Sequence, residues 1–187
     1  MKKIAIAALL LAFLFVVAAS AETTAELPAF EGPYIVTTCG QSPGAVMVGM
    51  AAMQVGIKAT YDDAENPLTA ETLDTGAYKT LIVTTGTSMK GMGAAGTDVD
   101  IEIARCLKVI EAAKAAGMVV IGAHVEGMAR RVDSTDEASI EAIMAEADII
   151  LVIEDSDSDG FFTNYAKEHE KPLLKVANAL AVGSVLQ

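Results

Sequence analysis

The 187-residue sequence has no tryptophan, and aromatic residues make up only 5% of it. A flavin held between aromatic rings is therefore not expected. Cysteine is almost as scarce. Cys39 and Cys106 are the two in the chain, too few for a scaffold that relies on disulfides in place of a core. Cations are short as well, with 13 Lys and Arg against 25 Asp and Glu and a formal net charge of −12. So acidic a surface repels phosphate backbones and anionic lipid, which sets aside nucleic acid and membrane surfaces as partners. Low-complexity tracts and long repeats are missing too. What is abundant is apolar: 52% of the residues are hydrophobic, enough for a core, so disorder is not expected.

The apolar excess begins at the N-terminus. Lys2 and Lys3 precede an uncharged apolar run from Ile4 to Val17, and Ala19-Ser20-Ala21 follows it. A positive start, a short apolar stretch and small residues at the exit describe a secretory signal peptide over residues 1–21. The run is short for a membrane span, which takes about 20 residues. No cysteine sits at the cleavage position, so lipid attachment is not indicated. The expected product is an exported protein, periplasmic or extracellular, beginning near Glu22. Removal of the leader takes two lysines with it and moves the net charge from −12 to −14. Residues 22–33, with Pro28 and Pro33, read as a linker to a single domain over 34–187.

Within that domain, short β-branched runs alternate with helical segments. The strands are expected at Tyr34–Thr38, Lys58–Tyr61, Thr80–Thr84, Met118–Gly122, Asp148–Ile153 and Leu173–Val176. They lack a period-two alternation, as strands covered on both faces do. Ser42-Pro43 reads as an N-cap and first helical residue for a helix ending near Val55. Thr97 and Asp98 open another to Ala116, with Val99, Ile103, Cys106, Leu107, Ile110 and Ala113 on its inner face. Ser134 to Glu137 reads as a capping box. Further helices are expected over Phe161–Glu170 and Asn178–Leu186. This order predicts a three-layer α/β/α fold with a mostly parallel sheet of five to six strands, flavodoxin-like or small Rossmann-like. Ile35–Gly40 (IVTTCG) and Ile82–Thr87 (IVTTGT) echo one another, which inner parallel strands with the same filling explain.

Ligands of open parallel sheets bind outside the carboxyl ends of the strands, and the unusual residues fall in those loops. The loop from Thr84 to Asp98 carries Gly86, Gly91, Gly93 and Gly96. Glycines let backbone amides approach an anion, and a helix N-terminus adds partial positive charge. No Gly-Lys-Thr/Ser follows, so it is not a Walker A loop. TTGTS resembles the phosphate turn of flavodoxins, but it ends a middle strand instead of the first. Gly40, Gln41, Ser42, Thr85, Gly86, Thr87, Ser88 and Gly91 are the candidate donors. Lys90 and Arg130 are the candidate charges, and His124 and Glu126 would fix orientation. A flexible loop and ordinary surface cations are the plainer readings.

Cys39 stands at a strand end before a helix, the place for an activated thiol. His124 would be its base and Glu126 the orienting group. Low-molecular-weight tyrosine phosphatases also carry a cysteine after the first strand, but Ala45 stands where their Cys-x5-Arg motif needs arginine. A packing or ligand-contact role is the alternative for Cys39. Pairing with Cys106 is disfavoured, because that residue lies more than two turns into its helix. Asp155, Asp157 and Asp159 match the first half of a calcium loop, yet Ala166 occupies the twelfth position, where a bidentate Glu is required. Calcium there is weighed against a solvated acidic turn. The first helix, with Met47, Met50 and Met53, is either buried or contacts another copy of the chain.

TCGQSPGA, YKTLIVTTGTSMKGMGAAGTD, IGAHVEGMARR and DGFFT, in that order, resemble a family of exported prokaryotic proteins designated as a domain of unknown function, DUF6305. The resemblance covers nearly all of the chain after the leader and implies a common fold and site, with no activity to carry over. The residues support an exported protein that binds a small anionic molecule, a carboxylate or phosphate, at the carboxyl edge of the sheet. The alternative is a thiol-dependent hydrolase or transferase using Cys39 and His124.

Overall fold

Three β-branched runs, YIVTT, TLIVT and IILVI, form strands that are buried along their whole length. They are β1 (Tyr34–Thr38), β3 (Thr80–Thr84) and β5 (Ile149–Ile153). The computed structural model describes residues 26–187, so the leader expected over 1–21 lies outside the described residues. The remaining strands are β2 (Ala59–Tyr61), β4 (Val119–His124) and β6 (Leu173–Val176). All pairings are parallel, in the order β2-β1-β3-β4-β5-β6. That is the flavodoxin-like order with one strand added, and it reverses direction between β1 and β3.

The helices are α1 (Gly44–Gln54), α2 (Met89–Ala95), α3 (Val99–Ala115), α4 (Ser134–Glu146) and α5 (Phe161–Glu168). Tight 3-10 turns cover Gly127–Arg130, Asp155–Asp157 and Ala179–Val185. One sheet face, with Val36, Ile82, Ile121 and Leu151, packs under α1 and the last 3-10 turn. The other face packs Ile35, Leu81, Val83 and Val120 against α3, and Ile150 and Val152 against α4 and α5. Each fully buried aliphatic side chain contributes about 1.5–3 kcal/mol. Ile35 and Ile82, equivalent in the sequence echo, lie on opposite faces, because Ile35 pairs with Leu81 in the register. The echo is therefore not a repeated structural unit.

Several boundaries shift for identifiable reasons. Asp98 caps α3 as expected, accepting from the Ile101 amide at 2.9 Å. For α4 the cap is Asp133, one residue before Ser134, and its carboxylate accepts from the Thr135 and Asp136 amides. For α1, Ser42 is no cap: its hydroxyl turns inward to Thr38 Oγ1 at 3.1 Å, and no side chain caps the helix. The inner face of α3 is also rotated from the expected one. Glu102, Cys106, Val109, Ile110 and Ala113 are buried, while Leu107 is only half-buried. On α1, Val48, Ala51 and Ala52 are buried, but Met50 and Met53 are 53% and 62% exposed, so burial accounts for one side of the helix only. The end of the expected linker docks on the domain: Phe30 packs against the core, and the Glu31 carbonyl accepts from Thr80 Oγ1. Among the described residues no helix is long and apolar enough to cross a membrane.

Candidate functional site

Parallel pairing carries the ends of β1, β3 and β4 to one rim, and their loops meet there. After β1 the chain turns through Gly40 (φ 119°) and Gln41 (φ 56°), both left-handed. Gly40 is required by contact as well as by conformation, since a Cβ there would lie 2.7 Å from Thr87 Cγ2. The Gly40 carbonyl accepts from the Ser88 amide at 2.8 Å, which ties the β1 and β3 loops together.

The TTGTS turn, Thr84 to Ser88, has anion-gripping geometry, but its anion is part of the chain. Asp136, in the first turn of α4 and 2% exposed, accepts from the Thr87 amide at 2.7 Å and from Thr87 Oγ1 at 2.8 Å. The Gly86 amide faces Ser139 Oγ at 3.4 Å, and the Gly91 amide donates to Ser88 Oγ as the cap of α2. Gly86, Thr87, Ser88 and Gly91, expected as donors to a ligand, thus have backbone amides with partners inside the fold. A carboxylate of α4 already accepts from Thr87, and the other three amides are engaged within the chain.

His124 is fully buried at the end of β4 and stacks on Phe162 with ring centroids 5.4 Å apart. Its Nε2 lies 3.2 Å from the Gly127 carbonyl, which can only accept, so Nε2 carries the proton. Nδ1 then accepts from Thr85 Oγ1 at 3.0 Å. Burial, aided by the Arg131 charge, lowers its pKa to about 4. Cys39 is likewise fully buried, not exposed at a strand end, and its side chain meets Cys106 and Ser139. Neither ring nitrogen of His124 hydrogen-bonds to Cys39, so no nucleophile–base pair joins the two residues.

Glu126 is arranged differently. Its side chain is 7% exposed, and Oε2 accepts from Arg130 Nε at 3.0 Å. Arg130 also donates through Nη1 to the Thr87 carbonyl at 2.7 Å. Oε1 is buried with no hydrogen-bond partner. It points at the start of α1: a Cβ on Gly44 would lie 3.1 Å from Glu126 Oε1 and 2.8 Å from Thr84 Oγ1. Ser42, Thr84 and Glu126 thus surround an uncapped helix N-terminus at the place where the strand order reverses. Lys90 is exposed on α2 and makes no ion pair among the described residues.

One expected group is dispersed. The aspartates after β5 part company: Asp155 accepts from the Met128 amide, Asp157 pairs with Lys175 and Thr163, and Asp159 forms an ion pair with Arg131. Among the described residues no three acidic, His or Cys side chains form a metal-binding group. Arg131 itself lies over the Phe161 ring at 4.4 Å.

Another group was not anticipated. Arg105 of α3 donates to the Thr38 carbonyl at 2.6 Å, the Leu68 carbonyl at 2.7 Å and Glu102 Oε2 at 2.8 Å. Its Nη1 lies 3.9 Å from Asp62. Glu102 in turn faces the Gly40 amide at 3.4 Å. Burial pushes the Asp62 carboxyl above its usual range, against hydrogen bonds from Thr37 and the Leu68 amide. This network braces the β1 loop from below. Its one sequence signal is the i,i+3 spacing of Glu102 and Arg105, which reads equally well as a solvated pair.

A family model described as a domain of unknown function, DUF6305, matches residues 31–187. The chain belongs to that family. The match includes every loop of the rim, so the site lies wholly within the DUF6305 domain. No curated protein matches the sequence. Among solved structures, a protein of Bacteroides fragilis provisionally titled an acylhydrolase is similar at 10% identity, over 86% of this chain and 76% of its own, with a TM-score of 0.34. A similarity at that level carries no argument about what this DUF6305 domain does.

Proposed function

We propose that the protein is exported and that its DUF6305 domain binds a small anionic molecule, a carboxylate or phosphate, where β1 and β3 part. The Glu126 carboxylate carries this reading. One oxygen is fixed by Arg130, and the other is buried without a partner beside an uncapped helix N-terminus. An unmet buried acceptor costs about 1–3 kcal/mol, so such an atom calls for a donor from outside the chain. An anion that also carries a donor meets both needs. Its charge would face the start of α1 with help from Lys90 and Arg130, and its hydroxyl or ammonium would face Glu126 Oε1. Hydroxy acids and amino acids have that chemistry.

A thermal-shift panel tests the reading. It compares hydroxy- and amino-carboxylates with matched carboxylates lacking the donor, and with inorganic phosphate. The expected stabiliser bears the donor, and Glu126→Gln raises its Kd about tenfold, the equivalent of 1.4 kcal/mol. A panel without any stabiliser at millimolar concentration overturns the proposal. If Lys90→Ala combined with Arg130→Ala leaves the shift unchanged, the charge is recognised elsewhere.

The thiol-enzyme alternative has less support. Cys39 and His124 are both without solvent access, and the ring nitrogens of His124 are engaged elsewhere. Pairing of two copies through α1 is favoured by one observation, the exposure of Met50 and Met53 on a helix without charged residues. Sedimentation over a concentration series decides it, and a monomer throughout removes it. Export rests on the leader sequence and is checked by finding the mature N-terminus near Glu22 outside the cytoplasm.

A further inference from the structure

The two cysteines of the chain meet inside the fold. Cys39 leaves β1 and turns down onto α3, where Cys106 lies in the same apolar cluster, and both are fully buried. Cys106 Sγ donates to the carbonyl of Thr38, the residue before Cys39, at 3.6 Å, and the two thiols are close enough to perturb one another. Depth in the helix does not keep them apart, because the β1 loop descends to meet it. The backbone around Cys39 is held on both sides: Arg105 Nη2 donates to the Thr38 carbonyl at 2.6 Å, and Ser139 Oγ donates to the Cys39 carbonyl at 2.7 Å. With no third cysteine in the chain, no other internal pairing competes.

We propose that Cys39 and Cys106 close into an intramolecular disulfide when the chain folds in the presence of a disulfide oxidant. An oxidant disulfide first exchanges with one cysteine thiolate, forming a mixed disulfide and releasing one thiolate. The second cysteine attacks the protein sulfur of that bond and releases the other thiolate. The chain loses two protons and two electrons, and the oxidant disulfide becomes two thiols. In the finished fold the neighbouring Cys106 thiol and the Arg105 charge hold Cys39 below the usual thiol range. Both sulfurs are sealed in the finished fold, so the exchange precedes final closure of the β1 loop. The bond joins that loop to α3 directly beneath Gly40 and Gln41.

The test uses the full chain in two arms. In the first, protein made in a reducing cytosol is unfolded, refolded with reduced and oxidised glutathione, denatured and treated with a maleimide. Intact mass is expected to show a monomer with no label, and two labels after reduction. Two labels without reduction, or a disulfide-linked dimer, overturns the pairing. Cys39→Ser and Cys106→Ser should each show one label with or without reduction. The native oxidised protein should also melt about 10 °C above the reduced one, and equal melting temperatures overturn a native bond. The second arm repeats the labelling on protein expressed with its own leader and isolated without reductant. Free thiols here, with a bond in the first arm, count against export and leave the pairing standing.

Discussion

Two places on the same rim, linked by Arg130, differ in how their polar groups are met. At the turn after β3, Thr87 donates twice to Asp136, a buried carboxylate of the chain itself. At the start of α1 no side chain caps the helix, and the nearby carboxylate of Glu126 leaves one oxygen unmet. The first place has the glycine-rich appearance of a binding loop and is closed. The second has an ordinary appearance and is incomplete. Anion-binding geometry therefore marks where a negative charge sits, but not whether it comes from a ligand; that depends on the partner across the fold.

The comparison breaks most directly at Asp136. Asp136→Ala leaves the Thr87 and Val132 amides without their acceptor and is expected to cost about 3–4 kcal/mol in urea unfolding. A cost within about 0.5 kcal/mol would mean that water replaces the carboxylate and that the turn is open after all. Next in size is a pH effect at His124, which accepts from Thr85 at the entrance to the filled turn. Its folded pKa of about 4 lies below the reference value of 6.5, so the unfolded chain takes up the proton first. Stability is full above pH 6.5 and falls by about 3 kcal/mol as the pH drops to 4. Denaturation at a series of pH values should show this slope, and His124→Gln should flatten it.

At the incomplete place the expected effects are smaller. Gly44→Ala puts a Cβ against Thr84 Oγ1 and Glu126 Oε1. It should lower stability by about 1–2 kcal/mol and abolish any ligand-induced thermal shift. Glu126→Gln removes a buried charge that is only half satisfied, so its effect on stability should stay within about 1 kcal/mol. A loss of 3 kcal/mol or more would show that the carboxylate is a structural anchor like Asp136, and the contrast between the two places would vanish.

How far the sequence could be read follows the range of each signal. β1 and β3 are legible to the residue, because buried parallel strands need uninterrupted β-branched or aliphatic filling; the bounds of β6 also match, although it is only partly buried and carries Lys175. The convergence of the β1, β3 and β4 loops follows from parallel topology, whereas the order of the strands is not legible in the sequence and comes from the structure. Helix α2 is not legible: Gly91 and Gly93 lie inside it, and the Ser88 cap and the close approach of Gly91 to the Gln41 carbonyl set it in place. The TTGTS chemistry is legible from its glycine and hydroxyls, while its carboxylate partner lies 49 residues away in sequence. Glu102 and Arg105 are hidden by the opposite error. Charged residues on an amphipathic helix are assigned to solvent, and here the helix turns them toward β1.

The bond from the Tyr34 hydroxyl to the Leu186 carbonyl, at 2.8 Å, sets a constraint in time as well as space. The opening strand of the domain takes cover from the 3-10 turn over Ala179–Val185, where Val182 is fully buried and Gly183 presses on the Ala51 carbonyl. Synthesis must therefore pass Leu186 before β1, 152 residues earlier, takes its full cover. Removal of Val182 to Leu186 would leave β1 without that cover.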